Sequence, residues 1–373
     1  MKIKYQNYKT GFLVCWVFFL SACGGGEADA TNGLAAGGNN VRQGSYEVVT
    51  LAGTGAAGFV DGPGSTAQFS YPTSLTVDGA GNVFVADEGN NVVRKIAPDG
   101  AVMTFAGQPG VNAYQDGSGS AAIFSDLIKG IAADPLGNLF VSDSNNKRIR
   151  KITPAGAVTT FAGSWYWDIV NGPIDQAQFN DTRGLAFDSK GNLYVTEVAR
   201  HLVRKIGADG IVSTLAGDGS AGYVDCYPGS CARFNQPESI AVDSKDNLYV
   251  SESGNHMIRK ITPAGAVSTF AGSGLAGFQD GAANLARFNS PVGVVVDSND
   301  NVYVADQNNR VIRRITQYGV VSTAVGRPNY KGNQNGLGTQ ASFGLPSGLA
   351  IDKNDNLYVV DYLNHNVRKL VLK

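Results

Sequence analysis

One short stretch recurs six times along this chain and constrains its fold more than any other feature. Its first copy runs from Gly81 to Ile96 and reads GNVFVADEGNNVVRKI. Runs of β-branched and aromatic residues bounded by Gly, Asn and Asp are typical of β-strands. In every copy an acidic residue is followed seven positions later by an Arg: Asp87/Arg94, Asp143/Arg150, Glu197/Arg204, Glu252/Arg259, Asp306/Arg313 and Asp361/Arg368. Such regular repetition predicts a fold built from equivalent units.

A second marker strand sets the length of the unit. It first occurs as Val48–Gly53, and its later copies end in Gly at intervals of 54 to 56 residues. Each unit offers four short strands, which we name a, b, c and d in chain order. In the first complete unit they lie near Leu75, at Val83–Asp87, at Val92–Ile96 and at Val102–Ala106. Four strands at this period are typical of one blade of a β-propeller.

The two ends of the repeat region complement each other. The first d strand, Tyr46–Ala52, has no a, b or c strand before it, and the last set, Leu349–Leu370, has no d strand after it. Pairing the first strand with the last c strand completes one blade and removes two open sheet edges. The sequence therefore predicts an all-β, six-bladed propeller with four-stranded blades over residues 46–373, closed by its N-terminal strand.

The repeat also resembles a known family. It reads Pro-x-Gly-(Leu/Ile)-Ala-x-Asp, then Gly-Asn-(Leu/Val)-Tyr-Val-x-Asp, then Asn-His-x-Ile-Arg-Lys-Ile, and this pattern is similar to the NHL repeat. The resemblance covers residues 46–373. It implies a six-bladed propeller, in agreement with the count of strands.

Residues 1–22 are predicted to be a lipoprotein signal peptide. Three lysines precede an apolar run of ten residues, Gly11–Leu20, which is too short to span a bilayer. The following Leu20-Ser21-Ala22-Cys23 resembles the lipobox of bacterial lipoproteins, which implies cleavage before Cys23 and lipid attachment to that residue. Gly24 after the Cys implies sorting to the outer membrane. The alternative is an ordinary signal peptide whose cleavage site contains a Cys.

The segment after the signal peptide and the overall charge narrow the function further. Residues 23–45 are rich in Gly, Ala and Asn, so we expect a flexible tether. Removal of the signal peptide takes three of the 30 basic residues and no acidic one, which leaves a net charge of 27 − 31 = −4. A mildly acidic exported chain is a poor candidate for binding nucleic acid.

Cys15 lies in the predicted signal peptide and Cys23 is the predicted site of lipid attachment, so two cysteines remain. Cys226 and Cys231 lie five residues apart in one loop. An even pair in an oxidising compartment predicts a disulfide. The alternative of metal ligation lacks further Cys or His nearby in the sequence.

Strand direction separates the two faces of the propeller. The a–b and c–d turns share one face, while the b–c turns and the long d–a connections share the other, which we name the d–a face. The d–a connections carry nearly all departures from the repeat. Because loops on a rigid scaffold commonly carry function, we expect any site on the d–a face.

Two sets of repeated polar residues are predicted to serve the scaffold. The six acid–Arg pairs could form a ring that binds a cation, but a feature without exception in six copies favours ion pairs that join strand b to strand c. His201, His256 and His365 occupy one repeat position in three blades, so they are not expected to converge on a metal. No metal site and no cofactor are predicted.

The candidate site combines two features of the d–a face. One position at the start of strand a, near the mouth of the central channel, varies between blades and includes Lys129, Arg183 and Glu238. One d–a connection replaces Gly-rich sequence with Trp165 and Trp167. Aromatic faces beside polar groups suit sugar rings or side chains of a partner. Solvated charges and local packing are the structural alternatives.

These observations favour a membrane-anchored binding or interaction module of the bacterial cell envelope, with an envelope protein, peptide or glycan as its partner. The alternative is a propeller-type hydrolase or lyase, lactonase-like or amidating-lyase-like, with its site at the channel mouth. No Ser/His/Asp set and no paired carboxylates are visible at the channel, so no catalytic residue is predicted.

Overall fold

Six antiparallel sheets form the part of the chain that the computed structural model describes, residues 45–373. They are the blades of a six-bladed β-propeller, which confirms the predicted fold class. The predicted signal peptide, Cys23 and nearly all of the tether lie outside the described residues. Within residues 45–373, no helix is long and apolar enough to cross a membrane.

Strands a and b form the inner half of each blade. Strand a is innermost and pairs with strand b in an antiparallel register that is irregular near the start of strand a. The a strands are Pro72–Val77, Ile128–Ala133, Thr182–Phe187, Pro237–Val242, Pro291–Val296 and Pro346–Ile351. The b strands are Val83–Asp87, Leu139–Asp143, Leu193–Glu197, Leu248–Glu252, Val302–Asp306 and Leu357–Asp361.

Strands c and d form the outer half, and short 3-10 helices lie in the connections. The c strands are Val92–Ile96, Arg148–Ile152, Leu202–Ile206, Met257–Ile261, Val311–Ile315 and Asn366–Leu372. The d strands are Ala101–Ala106, Ala157–Ala162, Ile211–Ala216, Val267–Ala271, Val320–Val325 and Tyr46–Ala52. The 3-10 helices are Glu88–Asn90, Gly119–Ala121, Ser144–Asn146, Val198–Arg200, Gly229–Cys231, Gln307–Asn309, Gly338–Gln340 and Tyr362–Asn364.

Five blades carry a fifth strand that the sequence did not predict. In each of them two residues of the d–a connection pair with the d strand of the blade that the connection leads into. These edge strands are Gly62–Pro63, Gly117–Ser118, Gly172–Pro173, Gly281–Ala282 and Gly336–Leu337. The connection therefore covers the outer edge of the blade, which protects it from pairing with other chains.

Blade 4 replaces the edge strand with the predicted disulfide, which is confirmed. Cys226 is bonded to Cys231, and their Cα atoms are 5.7 Å apart. The main chain of Cys226 exchanges two hydrogen bonds with Val267 of strand d, at 3.0 and 2.9 Å. The disulfide thus fixes the connection at the place where other blades have their edge strand.

Ring closure occurs as predicted. The N-terminal strand Tyr46–Ala52 pairs antiparallel with Asn366–Leu372, so Tyr46 lies opposite Leu372. The buried Tyr46 hydroxyl also donates to the hydroxyl of Tyr303 in blade 5 at 3.0 Å. The first strand is therefore held both within blade 6 and against the neighbouring blade.

The hydrophobic core consists of six clusters between neighbouring blades. A fully buried Phe just before each a strand lies in such a cluster. Phe69, for example, packs with Val85 of blade 1 and with Tyr358 and Val367 of blade 6. The six equivalents are Phe69, Phe124, Phe179, Phe234, Phe288 and Phe343. Because each cluster takes residues from two blades, no blade has a core of its own.

Close contact between a strands around the channel explains the Pro-x-Gly/Ser pattern. A Cβ atom at Gly184 would lie 2.7 Å from the Cα atom of Ser239 in the next blade. Real Cβ atoms do not approach a backbone so closely, so this position accepts only a very small residue. The channel is therefore narrow at this level.

Six fully buried arginines, one on each c strand, join the parts of each blade. In blade 5, Arg313 Nη1 donates to Asp306 Oδ2 of strand b at 2.7 Å, and Nη2 donates to Asp280 Oδ1 of the d–a connection at 2.6 Å. The guanidinium also donates to two carbonyl oxygens of that connection at 2.9 and 2.8 Å. It lies over the rings of Phe278 and Phe288. This arrangement ties strands b and c to the connection.

The buried carboxylates facing these arginines have their hydrogen bonds supplied by the protein. Burial raises the pKa of Asp87 to about 6, while bonds from Asn90, from the Ser70 N–H and from Arg94 oppose that rise. Because these donors already occupy the oxygens, the geometry favours the structural interpretation of the acid–Arg pairs over a ring of cation ligands.

The connections supply a second partner that the sequence interpretation overlooked. Four arginines contact an Asp of their connection at 2.6–2.7 Å, and this Asp precedes Gly in three of the four blades. In blade 3, Asn171 takes this place and accepts from Arg204 at 2.8 Å. In blade 6, Asn335 does so for Arg368 at 2.7 Å. An uncharged acceptor therefore suffices at this position.

Removal of a b-strand carboxylate is expected to be costly. Asp306→Ala leaves Arg313 buried without its fully buried partner, so the free energy of unfolding should fall by about 3–5 kcal/mol. Asp280→Asn is the matched control: this side chain is 42% exposed, and blades 3 and 6 carry Asn there, so the loss should stay below about 1 kcal/mol. Chemical denaturation compares the two variants, and equal losses would contradict the assignment.

Loss of the closing strand should open the ring. Deletion of Tyr46–Gly53 exposes the edge of Asn366–Leu372, so we expect a loss of more than about 4 kcal/mol, or aggregation. Deletion of residues 24–44 is the control and should leave the melting temperature unchanged. Calorimetry on both variants tests closure, which an unchanged melting temperature in the first variant would refute.

Candidate functional site

The three histidines join neighbouring blades. Each lies at the end of its b–c turn, with φ between 48° and 56°, and His201 and His365 follow a 3-10 helix there. The Nδ1 atom of each accepts a hydrogen bond from a main-chain N–H just before the next a strand, at 3.1–3.2 Å. The donors are Gln236 for His201, Ser290 for His256 and Tyr71 for His365. This contact gives the histidines a structural role.

Within residues 45–373, no group of three or more His, Cys, Asp or Glu side chains could hold a metal ion.

The mouth of the central channel is a cavity of about 260 Å³ on the d–a face. Each blade contributes the second residue of strand a, the position that varies between blades. Some blades add the first residue of the 3-10 helix in the b–c turn, such as Gln307 and Tyr362. The strand-a residues are Thr73, Lys129, Arg183, Glu238, Val292 and Ser347. The predicted residues Lys129, Arg183 and Glu238 therefore lie in one cavity.

The cations at the mouth are paired with carboxylates. Lys129 Nζ lies 2.8 Å from both carboxylate oxygens of Glu88. Arg183 Nη1 donates to Glu238 Oε2 at 2.8 Å, and its Nε lies 3.4 Å from Asp181. The varying position at the start of strand a contributes one carboxylate, Glu238, and Glu88 and Asp181 are further partners that the sequence interpretation did not include. Each cation at the mouth is therefore paired with a carboxylate.

Burial shapes the ionisation of these groups. It raises the pKa of Glu88, and the charge of Lys129 opposes that rise. For Arg183, burial acts to lower the pKa, but Glu238 and Asp181 outweigh it and raise the pKa above its ordinary value. The guanidinium is therefore a permanent cation.

The aromatic loop, residues 165–167, lies beside a second and more open depression. Trp165, Tyr166 and Trp167 are exposed by 66%, 68% and 69%. Trp165 lies near Arg148, whose guanidinium carbon is 5.3 Å from the ring centroid. The depression is lined by Tyr166, Trp167, Asp168, Gln178, Asn180, Ala199 and Arg200.

The tryptophans and the charged mouth residues do not line the same depression. Trp167 shares its depression with Arg200, whereas Arg183 lines the channel mouth. The sequence interpretation missed Tyr166 and Arg200 as members of the aromatic site. Simultaneous contact of one ligand with a Trp and Arg183 stays a prediction that needs a ligand large enough to reach both depressions.

The opposite face has a larger depression of about 910 Å³, lined by a–b turns. Its aspartates shape those turns. Asp78 Oδ1 accepts from the N–H groups of Ala80 and Asn82 at 2.9 and 2.8 Å, and Oδ2 accepts from the Asn82 side chain at 2.7 Å. Asp134 and Asp188 repeat this pattern. The volume alone does not make this depression the better candidate, because its polar groups already have partners.

Acidification should weaken the histidine contacts. Burial lowers the pKa of all three histidines from 6.5. The unfolded chain therefore takes up protons first, so their stabilisation is present above about pH 6.5 and declines as the pH falls towards the folded-state pKa. Asn91 occupies the equivalent position in blade 1 at φ 60°, so Asn fits the conformation.

The variant His201→Asn, His256→Asn, His365→Asn tests this expectation. Its melting temperature should depend less on pH than that of the wild type between about pH 5 and 7. The buried carboxylates are common to both proteins, so the difference between the two profiles reports the histidines. Parallel profiles would contradict the role of Nδ1 as a hydrogen-bond acceptor.

Comparison with known sequences finds the same repeat. Residues 234–261, 288–310 and 343–370 match the NHL repeat model. The chain is 27% identical over 285 residues to Protein SUPPRESSOR OF QUENCHING 1, chloroplastic, of Arabidopsis thaliana, covering 72% of this chain and 27% of that protein. It is 27% identical over 343 residues to NHL repeat-containing protein 2 of Gallus gallus, covering 81% and 46%. The chain thus spans less than half the length of either relative.

Solved structures share the architecture. An auxiliary nutrient binding protein from Bacteroides thetaiotaomicron superposes with a TM-score of 0.65 at 17% identity, covering 90% of this chain and 78% of that one. A streptogramin B lyase superposes with a TM-score of 0.54 at 14% identity, covering 88% and 98%. At such identities the likeness concerns the fold alone. With the repeat matches in three blades, this chain is a six-bladed β-propeller that contains NHL repeats.

Proposed function

We propose that this chain is a lipid-anchored binding module of the bacterial cell envelope, whose d–a face engages an envelope protein, peptide or glycan. The observation that carries the proposal is the exposure of three consecutive aromatic residues, Trp165, Tyr166 and Trp167, each to about two thirds. Aromatic rings exposed together on a rigid frame mark contact sites. Two neighbours of this fold are described as auxiliary nutrient binding proteins, in keeping with a binding role.

The surroundings of the aromatic loop suit a polar ligand with flat faces. Gln178 and Asn180 bring amide groups to the depression, and Arg200 and Asp168 bring charges of both signs. Arg200 Nη2 lies 3.4 Å from the carbonyl oxygen of Trp167, so the loop is held by the b–c turn of the same blade. Rings for stacking and amides for hydrogen bonds are the groups that sugars and peptides require.

Anchoring and location rest on the N-terminal motif. Lipid attachment at Cys23 would hold the propeller at the membrane surface, in keeping with sorting to the outer membrane from Gly24. The Cys226–Cys231 disulfide fits an oxidising compartment outside the cytoplasm. The d–a face would then meet ligands of the envelope.

Lipid attachment is tested by phase partition. Wild-type protein expressed in a bacterial host should enter the detergent phase, and Cys23→Ser should move it to the aqueous phase. Cys15→Ser is the matched control, because this residue leaves with the signal peptide. Wild-type protein that partitions into water would refute the anchor.

The aromatic loop is tested by fluorescence. Trp16 leaves with the signal peptide, so Trp165 and Trp167 are the only tryptophans of the mature protein. Titration with peptidoglycan fragments, envelope glycans and peptides should change their emission. Trp165→Ala with Trp167→Ala should abolish binding, measured by calorimetry because this variant has no tryptophan left, and should leave the melting temperature within about 2 °C.

Tyr318→Ala is the control for this experiment, because Tyr318 is 84% exposed in a c–d turn on the other face. It should bind as the wild type does. If the double Trp variant loses several kcal/mol of stability and binds every identified ligand normally, the aromatics serve packing and the proposed site is wrong.

A further inference from the structure

We propose that the channel-mouth cavity binds a small zwitterion of the α-amino-acid type. The inference rests on the proposed binding function and names a ligand class for the mouth, which lies apart from the aromatic loop. It is carried by the order of the charges around the cavity.

Three charged residues line the cavity on successive blades, Lys129, Arg183 and Glu238. Glu88 of blade 1 is not part of the lining but pairs with Lys129, so the order of signs from blade 1 to blade 4 is negative, positive, positive, negative. The two cations are neighbours, because the a strands of blades 2 and 3 are in contact at Gly130 and Arg183. The two carboxylates stand outside them. If a ligand places its carboxylate between the two cations, an ammonium group next to that carboxylate can reach a carboxylate of the protein.

The pairing of charges at the mouth disfavours ligands of one sign. Lys129 faces Glu88 and Arg183 faces Glu238, each at 2.8 Å, and Asp181 lies 3.4 Å from Arg183 as a second carboxylate. An anion alone would compete with Glu88 and Glu238 for the cations and leave a largely buried carboxylate without its partner. A cation alone would do the reverse. A ligand with both charges replaces each lost contact with a new one, which avoids that cost.

One hydrogen-bond donor at the mouth is free to bind such a ligand. Within residues 45–373, Arg183 Nη2 donates no hydrogen bond, whereas Nη1 and Nε are engaged. Glu238 is held in place by Ser253, whose hydroxyl donates to Oε1 at 3.0 Å. Because Ser253 and Arg183 fix the carboxylate of Glu238 from two sides, it is preorganised as an acceptor.

The far side of the cavity suits the side chain of an amino acid. Blades 5 and 6 contribute no charge to the mouth: their residues include Val292, Leu345 and the ring of Tyr362. The ring of Tyr71 lies 5.1 Å from that of Tyr362 and supports it. A cavity of about 260 Å³ lies just below the usual range of ligand pockets, so one small molecule fills it. An apolar or aromatic side chain is expected to bind better than a charged one.

Three probes that differ only in charge test the inference on the full-length protein in detergent. L-Phenylalanine carries both charges, N-acetyl-L-phenylalanine only the negative one, and L-phenylalanine methyl ester only the positive one. Calorimetry and saturation-transfer NMR should show phenylalanine binding at least about tenfold more tightly than either analogue, because each missing charge costs a charged hydrogen bond. Equal binding of the three probes, or no binding of phenylalanine at millimolar concentration, would overturn the proposal.

Two variants assign the charges. Glu238→Gln removes the ammonium partner and frees Arg183, so N-acetyl-L-phenylalanine should now bind at least as tightly as phenylalanine. Arg183→Gln should weaken phenylalanine at least about tenfold. Lys190→Gln on the opposite face is the control and should change neither affinity. Unaltered selectivity in Glu238→Gln would place the ligand elsewhere and refute the site.

The aromatic-loop variant separates this inference from the proposed function. Trp165→Ala with Trp167→Ala should bind phenylalanine as the wild type does, whether or not the loop has a partner of its own. Loss of phenylalanine binding in that variant would place the probe at the aromatic loop and overturn the mouth site.

Discussion

The buried arginine of strand c is the interaction on which each blade depends. A guanidinium without access to water is tolerated only when most of its donors face acceptors. The terminal nitrogens of all six donate to a side chain of the d–a connection and to main-chain carbonyl oxygens, and those of five also donate to a carboxylate of strand b, which lies 4.0 Å from Arg368 in blade 6. Arg313 adds two aromatic rings to this set. The contact fixes several residues of the connection, such as Gln279, Asp280 and Arg287 in blade 5. The residues between the d strand and this contact take no part in it, so they can differ between blades.

Because the arginine contact holds only part of each connection, the blades differ mainly in the remaining part. The connection of blade 3 carries the aromatic loop, and that of blade 4 carries the disulfide, yet both end on the same arginine contact. The mouth position at the start of strand a is likewise free to vary, because its neighbours Pro and Gly/Ser make the contacts that close the channel. A symmetric scaffold thus presents an asymmetric surface, with charges on blades 1 to 4 and neutral residues on blades 5 and 6.

The sequence predicted the features that recur and missed those that depend on neighbouring blades. Six copies of one pattern predicted the number of blades, the closing strand and the structural arginines. The expected oxidising compartment predicted the disulfide. The pair of Lys129 with Glu88 escaped because its members are 41 residues apart and occupy different positions of the repeat. Arg183 and Glu238 occupy the same repeat position in neighbouring blades, 55 residues apart. Their pairing could be predicted only from the distance between those blades. The edge strands have only two residues each, so they are too short to show the alternating pattern from which strands are predicted.

The closing strand has a consequence for the order in which this chain can fold. Tyr46 emerges before the rest of the propeller during synthesis, but its partners are Tyr303, 257 residues later, and a strand that ends only at Leu372. Blade 6 therefore stays incomplete until Leu372 has been synthesised, with hydrogen-bonding edges open at both ends of the growing ring. Such distant pairing is slow, although its entropic cost grows only with the logarithm of the separation. Until the ring locks, these open sheet edges are exposed to pairing with other chains, so chaperone protection is most needed in that interval.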